Sequence, residues 1–287
     1  MARTKALTME QSTGAVKVDL KEAYAGVIAA VRKNTLSQAH KSRNYSGDPT
    51  AASLEFKRFV NSTAKDQGTA RTNGKGDTIK ADPITLNKNI HREIVEEARK
   101  FDVDTFGETV FARRADDHAQ TMEYELDEAY FKAIEEEATA FTPSAAANTY
   151  LNKLEEMFVE LEKTTNIYVR GGIKRADMIC YLDPTEYSKV RDDLDSVGNT
   201  NVTTADEEFG MYHGVKIYSA VNMPATAKVQ LIRVESVAQE ANIYPYSEPT
   251  RIQQSNDMSS ELFYDYGTKA LTPDLMLKMA DLEVSAA

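Results

Sequence analysis

The stretch GTARTNGKGDTIKADPITLNK, residues 68–88, predicts a β-ribbon with no evident partner inside the chain. Asn73-Gly74 favours a tight turn at its centre, because asparagine and glycine adopt positive φ at little cost. The flanks, residues 53–61 and 78–86, have the extended, β-branched character of strands. Their apolar side chains are few and scattered: Phe56, Phe59, Val60, Ile79 and Ile84. A lone two-stranded ribbon is marginally stable in water, so this one is expected to lie against another surface.

Charge is segregated along the chain, whose 287 residues have a formal net charge of −11. Residues 1–45 carry eight Lys or Arg against three Asp or Glu, and residues 55–80 carry six against three. Residues 104–137 carry three against eleven. The overall acidity argues against a general nucleic-acid binder, which needs clustered Lys and Arg. The segregation predicts that basic and acidic parts of the protein meet.

The composition is that of a soluble globular protein. Cys180 is the only cysteine, so an intrachain disulfide and a cysteine zinc cluster are both excluded. It lies in the apolar run DMICYL, where a buried, unreactive thiol is expected. The N-terminus has no secretory apolar region, and no apolar run approaches the roughly 18 residues of a membrane span. A soluble, cytosolic protein that does not contact membranes is therefore expected.

The first hundred residues predict an arm, a short helix, a linker and the ribbon. Residues 1–17 are polar and patternless, and residues 19–32 form an amphipathic helix that begins with a capping box. Residues 35–52, rich in Ser, Asn, Gly and Pro, are predicted to be a linker. After the ribbon, residues 86–101 are predicted to be a strand end running into a short helix.

The longest regular element is predicted at residues 108–138. Apolar residues recur there at steps of four and three, which is typical of a helix with one buried stripe: Phe111, Ala115, Ala119, Met122, Leu126, Ala129 and Ala133. Its other faces are dense with carboxylates. The next helix is predicted to begin at Thr142-Pro143, a capping residue followed by proline.

The remainder predicts a small α/β region followed by returning strands. ADMICYLD reads as a strand buried on both faces, and PTEYSKVRDDL as a helix. HGVKIYSAV and KVQLIRV are predicted strands, ESVAQEA is a predicted short helix, and the tail after residue 256 alternates again. The fold class is therefore α+β.

No sequence motif assigns a catalytic, cofactor-binding or metal-binding residue. Walker, G-x-G-x-x-G and G-x-S-x-G patterns are all missing from the sequence. His91 with Glu93, Glu96 and Glu97 lacks the i, i+3 or i, i+4 spacing of metal ligands on a helix. His118 is predicted to be a surface residue, and His213 to lie in a turn. A protein without enzymatic activity or cofactors is expected.

The order of these elements resembles the major capsid proteins of tailed bacteriophages, the Hong Kong phage-type shell fold. GKGDTIKADPITLNKNIHREIVEEARKFDVDTFGETVFARRADDHAQTMEYELDEAYFKAI looks like that family's passage from E-loop to spine helix. ADMICYLDPTEYSKVRDDL, EEFGMYHGVKIYSAVNMP and KVQLIRVESVAQEANI look like the core of its A-domain. The resemblance covers residues 50–280.

The resemblance implies an order of domains along the chain. It implies an N-terminal arm at 1–47, an E-loop at 48–88 and a P-domain with the spine helix at 89–165. An A-domain at 166–255 follows, and residues 256–287 return to the P-domain as strands.

The resemblance also implies what the ribbon lies against. In that family the E-loop lies across the neighbouring subunit, beside its spine helix. The basic ribbon and the acidic helix fit such a contact, in which each exposed ion pair contributes less than about 1 kcal/mol. The candidate contact residues are Lys65, Arg71, Lys75 and Lys80 on the ribbon, and Asp116, Asp117, Glu123 and Glu128 on the helix.

The resemblance implies an icosahedral head shell that encloses phage DNA, located in the virion and assembled in the cytoplasm of a bacterial host. The implied partners are copies of itself as pentamers and hexamers, a separate scaffolding protein, a portal and decoration proteins. Packaged double-stranded DNA is expected to make only weak, non-specific contacts.

The sequence is also compatible with two other functions. An encapsulin-type nanocompartment shell protein shares the fold and would enclose a cargo enzyme. A soluble, acidic α+β ligand-binding protein or enzyme would use His91 and nearby carboxylates.

Overall fold

The structure is a computed structural model that describes residues 23–33, 35–64, 66–67, 79–99, 114–196, 210–247, 250–255 and 257–282. It divides into two compact units, each built from three stretches of chain. The first unit comprises residues 1–39, 87–127 and 239–267. The second comprises residues 40–86, 128–238 and 268–287.

The second unit is built on a six-stranded mixed sheet. Its strands are β5 (Thr139–Ala140), β6 (Met178–Leu182), β7 (Met211–Tyr212), β8 (Val215–Ser219), β9 (Val229–Arg233) and β13 (Met276–Met279). Their order across the sheet is β5-β13-β9-β6-β8-β7. Every residue of β6 is buried, as the apolar run predicted. Cys180 is a buried free thiol, and burial raises its pKa. The predicted strands in HGVKIYSAV, KVQLIRV and the tail are confirmed.

Two helices pack on this sheet, α4 (Tyr150–Lys163) and α5 (Pro184–Ser196). Buried Leu154, Met157, Phe158 and Leu161 of α4 belong to the same core cluster as the β6 side chains. The predicted start of α4 at Thr142-Pro143 is wrong. The helix begins at Tyr150, because the Thr149 side chain accepts a hydrogen bond from Asn152 N and caps it. The predicted helix with Pro184 at its start is confirmed.

The first unit contains a four-stranded sheet in which β12 (Met258–Ala270) is central. It is flanked by β4 (Ile90–Ala98), β10 (Val237–Ile243) and β11 (Thr250–Arg251). Two predicted helices are therefore wrong, the one within residues 86–101 and the one at ESVAQEA. Nine residues of β4 pair with β12, from Ile90 opposite Tyr266 to Ala98 opposite Met258. This pairing across the sequence overrides the local helical pattern.

The long helix α3 spans Ala115–Glu137. The predicted stripe is confirmed at Ala115, Ala119, Met122 and Leu126, which are buried. Towards the C-terminal end, Tyr130, Phe131 and Ile134 are buried in place of the predicted Ala129 and Ala133. Residues 108–113, including Phe111, lie outside the described part of the chain.

The N-terminal helix α1 is described over residues 23–33, with Ala23, Val27 and Val31 buried. The predicted arm at residues 1–17 lies outside the described residues. The linker prediction for residues 35–52 is partly wrong, since it contains α2 (Leu36–His40) and β1 (Tyr45–Ser46). Asp127 caps α2 by accepting hydrogen bonds from Ser37 N at 2.9 Å and Leu36 N at 3.3 Å. Burial raises the pKa of this carboxyl, although these hydrogen bonds oppose the rise.

Candidate inter-subunit surfaces

The ribbon consists of β2 (Ser53–Phe59) and β3 (Ala81–Asn87), which with β1 form a three-stranded sheet. Its base has an apolar face that was not predicted from the sequence. Leu54, Phe56 and Leu86 are buried together with Ala238 and Leu271. The expectation that the ribbon has almost no apolar face is therefore wrong for its base, which packs on its own subunit.

The opposite face of the ribbon is exposed. Along β2, burial alternates strictly from Ser53 to Lys57, so that Lys57 and Phe59 point away from the buried face. Phe59 is 59% exposed and Ile79 is 84% exposed. Lys80, a predicted contact residue, is exposed beside Ile79. On β2 the exposed face thus combines apolar Phe59 with Glu55 and Lys57, which form an ion pair at 3.4 Å.

Four side chains hold both strands of the ribbon base, and we call them the clamp: Arg58, Asp82, Tyr168 and Asp274. On β2, Arg58 donates two hydrogen bonds to Asp274, at 2.6 and 2.7 Å, and its guanidinium lies 3.9 Å from the centre of the Tyr168 ring. On β3, Asp82 accepts a hydrogen bond from the Tyr168 hydroxyl. Burial alone would raise the pKa of Asp274, but Arg58 holds it below its ordinary value. The direction of the ribbon base is thereby fixed within the second unit.

Two backbone hydrogen bonds hold the ribbon just beyond the clamp. Asn61 N donates to Ile167 O at 2.9 Å, and Val60 N donates to Lys80 O at 3.0 Å. Lys65, Arg71 and Lys75, the other three predicted contact residues on the ribbon, lie outside the described residues. Their role stays a prediction.

A cavity of about 210 Å³ lies beside the ribbon base. Ser236 and Thr272 line it, and their hydroxyl oxygens have no hydrogen-bond partner among the described residues. The cavity has room for several water molecules, which would satisfy these hydroxyls.

Several acidic residues of α3 serve the subunit itself. Glu125 accepts a hydrogen bond from the Tyr264 hydroxyl at 2.5 Å, and Asp127 caps α2. Asp117 pairs with Arg114 at 2.7 Å. Of the predicted acceptors, Asp116, Asp117 and Glu128 are exposed and Glu123 is half-buried. The role of these four residues in a contact between subunits stays a prediction.

His118 on α3 is buried, and the prediction of a surface residue is wrong. Its Nδ1 lies 2.7 Å from the Tyr246 hydroxyl, and its Nε2 lies 3.1 Å from Glu96 of β4. The helix face that carries His118 packs on the sheet, which removes the imidazole from water. Arg114 donates to Glu96 at 2.8 Å; burial would raise the pKa of Glu96, but Arg114 and His118 hold it low.

His91 lies on the other face of β4, away from α3. Its Nδ1 is 2.6 Å from Asp265, which also accepts a hydrogen bond from the Tyr244 hydroxyl at 2.7 Å. Because side chains alternate along a strand, Glu96 lies on the face opposite His91. Within the described residues, no group of three or more metal-ligating side chains is placed to hold an ion. His213 lies in a tight turn with a φ of 46°, which confirms the turn prediction.

The β4–β12 sheet has one face towards α3 and one face towards solvent. We call the second the exposed sheet face and define it by His91, Glu93, Val95 and Glu97 of β4, by Ser259, Glu261, Phe263 and Asp265 of β12, and by Tyr244. Val95 is 48% exposed, Tyr244 43% and Phe263 39%. This surface was not predicted from the sequence. The alternation of apolar and polar residues in SELFYDY could have indicated it, since Leu262, Tyr264 and Tyr266 are buried between the exposed positions.

No protein-family model matches the sequence, and no curated protein sequence matches it either. Solved structures do match over most of the chain. The capsid of a native GTA particle has a TM-score of 0.61 at 11% identity, over 85% of this chain and 88% of that chain. The capsid of cyanophage P-SCSP1u has a TM-score of 0.54 at 16% identity, over 84% and 85%. A virus-like particle from Pyrococcus furiosus has a TM-score of 0.57 at 10% identity, over 90% and 98%.

These likenesses, all at low sequence identity, establish the fold. The chain has the α+β fold of tailed-phage major capsid proteins, and the predicted resemblance is confirmed at that level. Among the described residues, no helix is both long enough and apolar enough to cross a bilayer.

Proposed function

We propose that the chain is a major capsid protein that assembles with copies of itself into the icosahedral head shell around the DNA of a tailed bacteriophage. The observation that carries this proposal is a ribbon anchored at its base whose other face leaves Phe59 and Ile79 exposed, on a subunit with the capsid fold. Exposed large apolar side chains next to charged ones are typical of surfaces that bind other proteins. A shell would cover them with neighbouring subunits.

The ribbon and the acidic surfaces of the neighbour would form one repeated contact of this shell. Each exposed ion pair contributes less than about 1 kcal/mol. A closed shell holds every subunit through several neighbours at once, so that weak contacts are sufficient. Lys65, Arg71, Lys75 and Lys80 are the proposed cations, with Asp116, Asp117, Glu123 and Glu128 as proposed acceptors.

The finer features of the assembly follow from the same proposal. Subunits would form pentamers and hexamers with the help of a separate scaffolding protein, and a portal and decoration proteins would join them. Assembly would take place in the host cytoplasm. The net charge of −11 fits weak, non-specific contact with packaged DNA. The proposed domains are the N-terminal arm 1–47, E-loop 48–88, P-domain 89–165, A-domain 166–255 and C-terminal strands 256–287.

The test is the assembly state of the purified protein, measured by sedimentation velocity and negative-stain electron microscopy. We expect closed shells or ring-shaped capsomers. The control is a variant in which residues 65–77 are replaced by a two-residue Asn-Gly turn, which keeps the clamp at the ribbon base. It should fold but remain a subunit in solution. A wild-type protein that stays monomeric at high concentration and carries a bound metal or metabolite would favour the soluble-enzyme alternative.

The encapsulin-type nanocompartment that the sequence left open would share this fold, and the comparisons do not favour it over the capsid proposal. The two candidates differ in what the shell encloses. Particles purified from the native source should contain double-stranded DNA if the capsid proposal holds. A cargo enzyme in their place would identify a nanocompartment.

A further inference from the structure

The cavity beside the ribbon base is much larger than its hydroxyl groups require. Its volume is about 210 Å³, whereas one buried water needs only about 10–15 Å³. All the residues that line it belong to the second unit. The cavity therefore has room, within that unit, for a small organic group.

Two hydroxyl groups of the lining are without partners in the described part of the chain. Ser236 is 1% exposed, and neither its Oγ nor the Oγ1 of Thr272 has a hydrogen-bond partner there. The backbone holds these two residues together, because the amides of Leu271 and Thr272 donate to Ser236 O at 2.8 and 3.3 Å. Buried hydroxyl groups nearly always form hydrogen bonds, so this pair indicates a polar occupant of the cavity.

The charge of the lining favours an anion. Three cations, Lys57, Arg58 and Arg233, line the cavity together with one carboxylate, Glu235, in a chain whose net charge is −11. The guanidinium of Arg58 is bound to Asp274. The Arg233 side chain is exposed and has neither a hydrogen bond nor an ion pair with any residue that the structure describes. It is therefore the cation that can bind an occupant.

A strained turn carries both Arg233 and Ser236. It joins β9 to β10, and Ser236 N donates to Arg233 O at 3.2 Å. Between them, Glu235 has a φ of 63°, in the left-handed region that residues other than glycine seldom adopt. Such backbone strain is concentrated at sites that bind ligands. The turn thus places a guanidinium and a hydroxyl at the same cavity.

Apolar walls complete the cavity. Phe56 and Leu271 are buried and Ile84 is half-buried, and all three line it. A bare inorganic anion would leave these walls without a contact. A carboxylate on a short hydrocarbon stem would contact them while its oxygens accept hydrogen bonds.

We propose that the cavity binds a carboxylate group on a short apolar stem, which belongs either to a small organic acid or to an acidic side chain of another protein. Arg233 pairs with the carboxylate, and the hydroxyls of Ser236 and Thr272 donate hydrogen bonds to it. The stem packs on Phe56 and Leu271. This inference does not rest on the proposed shell function, because every group it uses belongs to one subunit.

Sodium butyrate is the probe, because it is a carboxylate on a short hydrocarbon stem. Its binding to the purified protein is measured by saturation-transfer NMR. Butanol has the stem without the charge, and sodium phosphate has the charge without the stem. At matched ionic strength, both should bind at least about tenfold more weakly than butyrate. Phosphate that binds as tightly as butyrate would overturn the carboxylate assignment.

Two variants test the residues. Arg233→Gln should weaken butyrate binding at least about tenfold, since it removes the charge that pairs with the carboxylate. Ser236→Ala should also weaken binding, yet unfold at or above the wild-type temperature, because the hydroxyl that it removes is buried without a partner among the described residues. Arg191→Gln on α5, outside the lining, is the matched control and should bind butyrate as wild type does. Equal binding by Arg233→Gln and wild type contradicts the proposal, as does folded wild-type protein that binds no butyrate.

Deuterium exchange tests whether butyrate lies in this cavity. At saturation it should slow the exchange of the Leu271 and Thr272 amides, because both donate to Ser236 O at the cavity. The amides of α5 should exchange at the same rate with and without butyrate. Unchanged exchange at Leu271 and Thr272 would place the binding elsewhere and overturn the inference.

A tripeptide with blocked ends and a central glutamate separates the two sources of the carboxylate. Tighter binding of the peptide than of butyrate identifies an acidic side chain of another protein as the occupant. Tighter binding of butyrate identifies a free organic acid. Neither measurement requires shells to form, so the failure of the proposed function and the failure of this inference are distinguishable.

Discussion

Arg58 and Asp274 form a two-point ion pair, with both guanidinium NH2 groups within 2.7 Å of the two carboxylate oxygens. The Tyr168 ring lies 3.9 Å from the same guanidinium and its hydroxyl reaches Asp82 on the second strand. Residues distant in sequence thus hold both strands of the ribbon base. The clamp therefore holds the described base of the ribbon on the second unit.

Replacing Arg58 by Lys should loosen this clamp. Lysine cannot make the planar two-point contact or stack on Tyr168, so we expect a loss of about 1–2 kcal/mol in the free energy of unfolding. The Asn61 amide should exchange with deuterium faster, because its bond to Ile167 O lies beside the clamp. Lys57→Ala is the matched control. Its ion pair with Glu55 is exposed and 3.4 Å long, and its loss should cost less than about 0.5 kcal/mol. Equal exchange in Arg58→Lys and wild type would show that the clamp does not hold the ribbon.

The two phenylalanines of β2 should separate folding from assembly. Phe56 is 2% exposed, and Phe56→Ala should lower the free energy of unfolding by about 3–5 kcal/mol through the cavity that it leaves. Phe59 is 59% exposed, and Phe59→Ser should leave the unfolding of the subunit within about 0.5 kcal/mol of wild type. Chemical denaturation measures the stability of both variants. Sedimentation measures assembly, which Phe59→Ser should impair. Phe59→Ser protein that assembles as well as wild type would speak against the ribbon as a contact surface.

Two glycines should respond to alanine in opposite directions. A Cβ on Gly267 of β12 would overlap the Asn87 carbonyl oxygen and lie 3.1 Å from Lys88 Cα. Since both obstacles are backbone, Gly267→Ala should destabilise the protein by at least about 1–3 kcal/mol. A Cβ on Gly26, in α1, would have no neighbouring atom within 4 Å, and Gly26→Ala should stabilise by about 0.5–1 kcal/mol. Thermal unfolding of both variants gives the comparison, and a neutral Gly267→Ala would contradict the close approach.

His40 should make stability depend on pH. Burial, together with the charge of Lys216, lowers its pKa from 6.5 to about 4, while its Nδ1 lies 2.8 Å from the Tyr181 hydroxyl. Below pH 6.5 the unfolded chain binds a proton that the folded protein does not, so this residue favours unfolding progressively between pH 6.5 and about 4. The slope for one proton is at most about 1.4 kcal/mol per pH unit.

His40→Gln supplies the control for this dependence. The free energy of unfolding of wild type minus that of the variant should fall as the pH decreases through this range, and should be constant above pH 7. A difference that does not change with pH would mean that the imidazole binds its proton over the same pH range in the folded and the unfolded protein.

The sequence predicted best those elements whose pattern is complete within a few residues. The run MICYL became a fully buried strand, and the stripe Ala115, Ala119, Met122 and Leu126 became the buried side of α3. In both cases the side chains alone specify which face is buried. The order of such elements was sufficient for the fold.

The failures occurred where a distant segment decides the local structure. HREIVEEA has apolar residues at helical spacing, but β12 lies beside it and pairs with nine residues of β4. His118 has acidic neighbours in the sequence, yet its partner Tyr246 is 128 residues away. Leu54 and Leu86 were overlooked at the ribbon base because the residues that bury them, Ala238 and Leu271, come much later in the chain. The exposed sheet face was missed for the same reason, since it forms only when β4 and β12 are paired.

The position of Phe263 makes assembly accessible to fluorescence. The chain contains no tryptophan, and Phe263 lies half-exposed in the middle of the exposed sheet face. Phe263→Trp would introduce a single indole, whose emission shifts to shorter wavelength if a neighbouring subunit covers this face and excludes water. Stopped-flow recording of that emission would then follow the growth of particles in real time.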